Sequence, residues 1–219
     1  VTIPLTVKSI EHMAFYNCFK LKDVYCEFTK VMWNSLVVEN SSEYNQYFLN
    51  ATHHFETKTT AEILYSGSCG EAVTWSLDSN GILTFEGIGS IYNYSNDNQP
   101  WASLKKSVKK VVVKDGVTKI GNYALYGCVN LESFELADSV KTIGARAFYD
   151  CDSLVDVVIP DTVTSIGEYS FAHCNNLESI VIGEGIKTIT GYAFRDCASL
   201  KAVTIPLTVK SIEHMAFYN

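Results

Sequence analysis

The chain has 219 residues, 47% apolar, 12% aromatic and 19% charged, enough to bury a core and too apolar for wholesale disorder. Its 24 acidic and 17 basic residues leave a formal charge of −7 with no long basic block, which argues against a nucleic acid or an anionic membrane as partner. No run of about 18 apolar residues offers a membrane span, and seven cysteines cannot all pair within one chain.

The N-terminal Val1-Thr2-Ile3-Pro4 has neither a Met start nor a basic-then-apolar leader, and reads as a fragment or a processed chain. Val1 to Asn17 recurs unchanged as Val203 to Asn219. Cys18 to Asp23 supplies the six positions missing after Asn219, and Val24-Tyr25-Cys26 has the next strand pattern with Cys26 inward. Residues 1–56 therefore read as the end of a repeat array with its closing segment, and residues 57–68, poor in core residues, as a linker. Residues 69–110 read as an N-terminal cap. Within it, Thr74 to Leu77 and Ile82 to Phe85 flank Asp78-Ser79-Asn80-Gly81, a hairpin with Asn-Gly turn chemistry. Ser90 to Gln99 follows as a polar loop and Ala102 to Val108 as a short helix.

Residues 111–219 repeat every 23 positions. Cys128, Cys151, Cys174 and Cys197 share one column, and Leu131, Leu154, Leu177 and Leu200 another. Ile120, Ile143, Ile166, Ile189 and Ile212 form a third, and Leu125, Phe148, Phe171, Phe194 and Phe217 a fourth. In one unit Val157-Val158-Ile159 alternates as a short strand should, and Pro160 ends it because proline cannot donate to a ladder. A small residue (Gly121, Gly144, Gly167) marks the turn that follows. Strands this short bury nothing alone, so stacked neighbours must supply the core. The expected fold class is an α/β repeat solenoid, leucine-rich-repeat-like and right-handed, of mostly short parallel strands with a β-rich capping segment. The repeated cysteines point inward as small buried hydrophobes. Disulfides between coils are conceivable, but no paired CxxC or HxxxH suggests a metal.

The pattern Leu-x-x-Val-x-Ile-Pro-x-x-Val-x-x-Ile-Gly-x-x-x-Phe-x-x-Cys, best seen from Leu154 to Cys174, resembles the BspA-like leucine-rich repeats of bacterial surface proteins and some parasitic protists. Cys69 to Gly87, and Pro100-Trp101 with Val108 to Gly121, resemble the segment that precedes such arrays. Trp33 to Val38 and Asn50 to Phe55 resemble the segment that closes them. The resemblance implies a non-enzymatic binding or adhesion module, extracellular or at a cell surface, with no cofactor. The partner it implies is a protein or glycan ligand on another cell or matrix. Two explanations fit the 17-residue identity: a giant tandem protein of 202-residue period cut mid-coil, or an engineered or permuted chain. The first is favoured; it implies a spacer or fibre-forming stalk and leaves end-to-end self-association open.

Candidate chemistry is sparse. Ser103-Leu104-Lys105-Lys106 matches S-x-x-K without the companion motifs of acyl enzymes. Gly87-Ile88-Gly89 lacks the third glycine of a dinucleotide site and reads as strand-end geometry. Neighbours on a strand, His53 and His54 point to opposite faces, which is poor for joint ligation. His173 beside the buried Cys174 does not make a nucleophile pair, and Asp150 with Asp152 reads as a solvated turn rather than a calcium site. Binding candidates fall in two columns. Val112, Glu135, Val158, Val181 and Thr204 lie between the inward strand residues, and an apolar stripe on an outer face marks contacts. Tyr123, Arg146, Tyr169 and Tyr192, continued by Met215, carry types enriched in interface hot spots. Asn40, Asn50 and Asn93 occupy N-glycosylation sequons.

Overall fold

The structure is a computed structural model that describes residues 1–3, 7, 9–11, 13–26, 37–38, 45–55 and 61–219. It forms two compact units, Val1–Ala61 and Glu62–Asn219. Trp33 and Asn40, and the start of the expected linker at 57–60, lie outside the described residues.

In the smaller unit, β1 (Thr2–Ile3), β3 (Asp23–Cys26) and β5 (Thr52–Phe55) form a parallel sheet in the order β1-β3-β5. β2 (Ser9–Ile10) pairs in parallel with β4 (Val37–Val38). Ile3, Ile10, Val24, Cys26 and Phe48 make the core, so Cys26 does point inward. Phe48 lies on the five-residue helix α1 (Gln46–Asn50), its ring stacked on Phe15 with centroids 4.3 Å apart. Buried Asn45 precedes that helix. Its Oδ1 accepts from the Phe15 N–H and its Nδ2 donates to the Glu11 carbonyl, which fixes the turn between β2 and β3.

The larger unit opens with three antiparallel strands, β6 (Ile63–Ser68), β7 (Val73–Asp78) and β8 (Ile82–Gly87). The hairpin of β7 and β8 is where the sequence puts it. Asp78 Oδ1 accepts from the Asn80 and Ile82 N–H groups, and Gly81 takes φ +81°, the left-handed turn conformation glycine adopts without strain. β6 corrects the sequence reading, which assigns Ile63–Ser68 to a linker. All six of its residues are exposed, so backbone pairing with β7 and not burial makes it a strand, and the hydrophobic pattern is silent there.

β9 (Gly89–Ser90) and a 3-10 helix (Ala102–Ser107) lead into the coils. Each coil has two strands where the sequence shows one. The first series is β10 (Lys110–Val113), β12 (Ser133–Leu136), β14 (Asp156–Val158), β16 (Ser179–Val181) and β18 (Ala202–Thr204). The second series is β11 (Val117–Ile120), β13 (Thr142–Ile143), β15 (Ser165–Ile166), β17 (Thr188–Ile189) and β19 (Ser211–Ile212). All pairings between coils are parallel and offset by one repeat: Val111 lies opposite Phe134, Ile180 opposite Val203, and Ile143 opposite Ile166. β8 joins the first series by pairing in parallel with β10, so the cap hands its pleat directly to the stack. The repeat solenoid expected from the columns is thus the architecture of this unit. The stretch that carries Phe148, Phe171 and Phe194 is a run of turns, not a helix.

Candidate functional site

The four inward columns are fully buried through the middle coils. Phe148 and Phe171 stack at 4.8 Å and 5°, Phe171 and Phe194 at 5.6 Å and 15°. The cysteines of the ladder are more than space-fillers. Cys151, Cys174 and Cys197 each donate their thiol to a backbone carbonyl of the preceding coil, Leu125, Phe148 and Phe171, at 3.4, 3.3 and 3.2 Å. A carbonyl of each turn thereby gains a partner inside the core, that of Leu125 in addition to the Cys128 N–H it already accepts at 3.1 Å. Burial pushes the Cys128 and Cys197 thiols up to about 12 and raises Cys151 and Cys174 well above the ordinary range. Such thiols are poor nucleophiles.

The first binding column lies on the outward side of the first strand series. Val112 is half-buried, Glu135 is exposed and bonded to Lys110 Nζ at 2.5 Å, and Thr204 is exposed. Val158 and Val181 are 62% and 38% exposed and sit directly opposite each other across β14 and β16. The flanks are polar: Ser179 Oγ donates to Asp156 Oδ1, and Lys114 pairs with Glu86 at 2.8 Å. The column is therefore two adjacent apolar side chains on a hydrogen-bonded sheet, bordered by hydrophilic groups.

The second column is built differently. Tyr123, Arg146, Tyr169, Tyr192 and Met215 all take positive φ, between 52° and 61°. A left-handed residue costs roughly 1–2 kcal/mol, so something must hold five of them. Their amides are recruited by the next coil: Tyr123 N–H donates to the Ala145 carbonyl, Arg146 to Glu168, and Tyr192 to His214. Their side chains then stack along the array. Arg146 lies 5.5 Å from the Tyr123 ring and 4.5 Å from that of Tyr169, and Tyr169 stacks on Tyr192 at 4.6 Å and 2°. Tyr126, Tyr149 and His173 make a parallel row, with ring centroids 5.1 and 4.8 Å apart. Tyr126 with Tyr149 and Tyr169 with Tyr192 stack face to face, and Arg146 lies over the rings of Tyr123 and Tyr169, so these faces already have partners within the array.

A second left-handed column, Gly127, Asp150, His173 and Asp196, escapes the sequence reading. Its signal was present, since Gly, Asp and His are the types enriched in that conformation. The Tyr/Arg column carries no such signal. Gly87 and Gly89 take φ +119° and +116° at a strand end, and a Cβ on Gly87 would lie 2.0 Å from the Ala72 carbonyl oxygen. Ser103 to Lys106 lies on the 3-10 helix, where buried Lys105 bonds Asp97 at 2.6 Å. Asp152 accepts from the backbone and side-chain nitrogens of Asn175, and His173 Nε2 lies 3.3 Å from Asp196. His53 packs edge-on against Phe48, and the His54 side chain lies outside the described residues. Among the described residues no group of three His, Cys, Asp or Glu could hold a metal, and no helix is long and apolar enough to cross a membrane. Asn93 is exposed, its Oδ1 accepting from the Asn122 N–H, and Asn50 is exposed at the end of α1.

Comparison with known proteins gives a family match and several similar folds. The model of the BspA type leucine-rich repeat region matches residues 1–56 and 102–219 in six copies. A leucine-rich cell surface protein of Faecalibacterium prausnitzii is 27% identical, with a TM-score of 0.53 over 70% of this chain and 46% of that one. A leucine-rich repeat protein of Eubacterium ventriosum is 21% identical, with a TM-score of 0.43 over 70% and 63%. The pneumococcal vaccine antigen PcpA is 19% identical, with a TM-score of 0.48 over 99% and 63%. The chain thus spans less than two thirds of the length of each of these structures. No curated protein matches.

Proposed function

The chain belongs to the BspA-type leucine-rich repeat family, and on that premise we propose that it is a non-enzymatic binding module, displayed extracellularly or at a cell surface, that holds a protein ligand on the outward side of its first strand series. The observation that carries this reading is the pair Val158 and Val181, apolar, exposed and adjacent on a sheet whose flanks are hydrophilic. Apolar side chains gain from contact with a partner's apolar surface and gain little from a glycan, so protein is the favoured ligand class. The sheet beneath is hydrogen-bonded from coil to coil, and a surface already held in place lowers the ordering cost of binding. The Tyr/Arg column contributes less, because its ring faces are already stacked.

The test is the double substitution Val158→Lys/Val181→Lys, assayed on host cells or matrix proteins. Binding is expected to fall at least tenfold with the circular dichroism spectrum unchanged, and retained binding would overturn the proposal. A second reading, a stalk or fibre-forming spacer without its own ligand, is favoured by the identity of Val1–Asn17 and Val203–Asn219. It expects indifference to the same substitution, and near-identical 202-residue copies along the gene.

A further inference from the structure

The chain has two arginines, and both lie in the turns that follow the second strand series, beside tyrosines of neighbouring coils. Their charges are handled differently. Arg195 lies 5.6 Å from the Tyr192 ring, and its Nε donates to Asp196 Oδ2 at 3.0 Å, an oxygen that also lies 3.3 Å from His173 Nε2. Arg146 is half-buried between the rings of Tyr123 and Tyr169, 5.5 and 4.5 Å away. Asp150 follows on the same turn, and Glu168 accepts from the Arg146 backbone N–H. Yet among the described residues no carboxylate pairs with the Arg146 guanidinium, and none of its side-chain N–H donors has an acceptor. Of two stacked guanidiniums, one is neutralised inside the array and one is not.

We propose that Arg146 anchors a second contact surface, where its planar guanidinium fork takes the carboxylate of an acidic side chain on a protein partner. The stacking that removes the ring faces from a ligand is what readies the cation. A long side chain already held between two rings gives up little rotamer freedom on binding. A guanidinium on an aromatic face is also partly stripped of water, which strengthens its bond to a carboxylate. The class of occupant follows from charge. With Asp150 and Glu168 on adjoining turns of a chain of net charge −7, the surface repels a polyanion such as a sulfated glycan. A single carboxylate in direct contact with Arg146 gains more from the fork than it loses to those acids, which act through screening solvent. The valine pair lies on the first strand series, so this proposal shares with the ligand-binding one only the class of partner, a protein.

The experiment uses the arginine Nε–Hε signals of a proton–nitrogen correlation NMR spectrum. The chain has two of them, and Arg146→Lys assigns which is which. The full chain is titrated with a blocked tripeptide carrying one glutamate between two leucines, and with its glutamine counterpart as the neutral probe. The Arg146 signal is expected to shift with the glutamate peptide and not with the glutamine one, while the Arg195 signal stays in place. Asp196→Asn removes the partner of Arg195, and its signal should then respond as well. In Arg146→Lys the amide signals of Tyr123 and Tyr169 should report at least fivefold weaker binding of the glutamate peptide, because an ammonium keeps the charge and loses the fork. No shift at Arg146, equal shifts of both arginines in the native chain, a silent Arg195 in Asp196→Asn, or unchanged binding in Arg146→Lys overturns the proposal. So does a heparin tetrasaccharide that shifts Arg146 at lower concentration than the peptide, since the ligand would then be an anionic glycan. Val158→Lys/Val181→Lys should leave the Arg146 response unchanged, so failure of the valine contact and failure of this one are read separately.

Discussion

In the cap of the larger unit, one residue organises the packing. Trp101 is wholly buried, meets Trp75, Phe85 and Tyr94 edge-on with centroids 5.1 to 5.6 Å away, and donates its indole N–H to the Ala124 carbonyl at 2.9 Å. In the coils no residue has that standing. Phe148, Phe171 and Phe194 are interchangeable rungs, each stacked on the next, with thiol-to-carbonyl bonds repeated beside them. The difference is one of symmetry. A coil is packed by copies of itself, whereas the first coil has no copy in front and needs dissimilar side chains, fixed in place by a hydrogen bond, to imitate one.

Removing the organiser is expected to have the largest effect. Trp101→Ala loses the aromatic contacts and leaves a cavity, a destabilisation of about 3–5 kcal/mol, and denaturant titration should show the cap and first coil melting ahead of the rest. Phe171→Ala loses a similar amount from the middle of the stack, roughly 3–5 kcal/mol. Its signature should differ: hydrogen exchange is expected to quicken in the coils on both sides of it while the cap hairpin stays protected. If both substitutions give one indistinguishable cooperative transition, cap and coils are not the separable units that their packing suggests.

The cysteine ladder sharpens the contrast by pH. Cys69 in the cap and Cys128 and Cys197 in the coils are all pushed up to about 12 by burial. A thiol raised above its unfolded value of about 8.5 stabilises the fold fully below that pH, and the contribution is lost as pH rises toward 12. Stability should therefore decline steadily above pH 9, and an aromatic disulfide reagent at pH 8 should leave these three thiols unmodified until denaturant is added. Rapid modification of Cys174 in the native protein would contradict its placement inside the stack.

Most of the coil was legible because burial there has a period. The columns of Ile, Leu, Phe and Cys buried in the middle coils recur every 23 positions, and the Asn80-Gly81 turn carries its own backbone chemistry. What escaped reading has no hydrophobic signature. β6 is held by backbone pairing alone, and the two-residue second strands are too short to alternate. The left-handed Tyr/Arg column puts the wrong residue types in that conformation, because amide bonds to the next coil, not local preference, impose it. The outward valines were legible as a column, but their unequal exposure was not, since Val112 is screened by the cap side and Val158 is not.

The smallest expected effect tests whether the coils really are interchangeable. Ala124, Ala147, Ala193 and Ala216 occupy one column, and Ser170 stands where the other four coils have alanine. Ser170 is fully buried and its hydroxyl has no hydrogen-bond partner among the described residues, although its backbone N–H reaches the Gly167 carbonyl and its own carbonyl accepts from the Phe148 N–H. The backbone is thus already satisfied, and the hydroxyl adds only the cost of its lost hydration. Ser170→Ala should stabilise the larger unit by about 1 kcal/mol, read as a higher denaturant midpoint at constant slope. The reverse exchange, Ala147→Ser, should destabilise it by a similar amount, because Ala147 is as fully buried one coil earlier. A stabilising Ala147→Ser would mean that each coil makes its own polar environment, and that the repeat in sequence is not a repeat in energy.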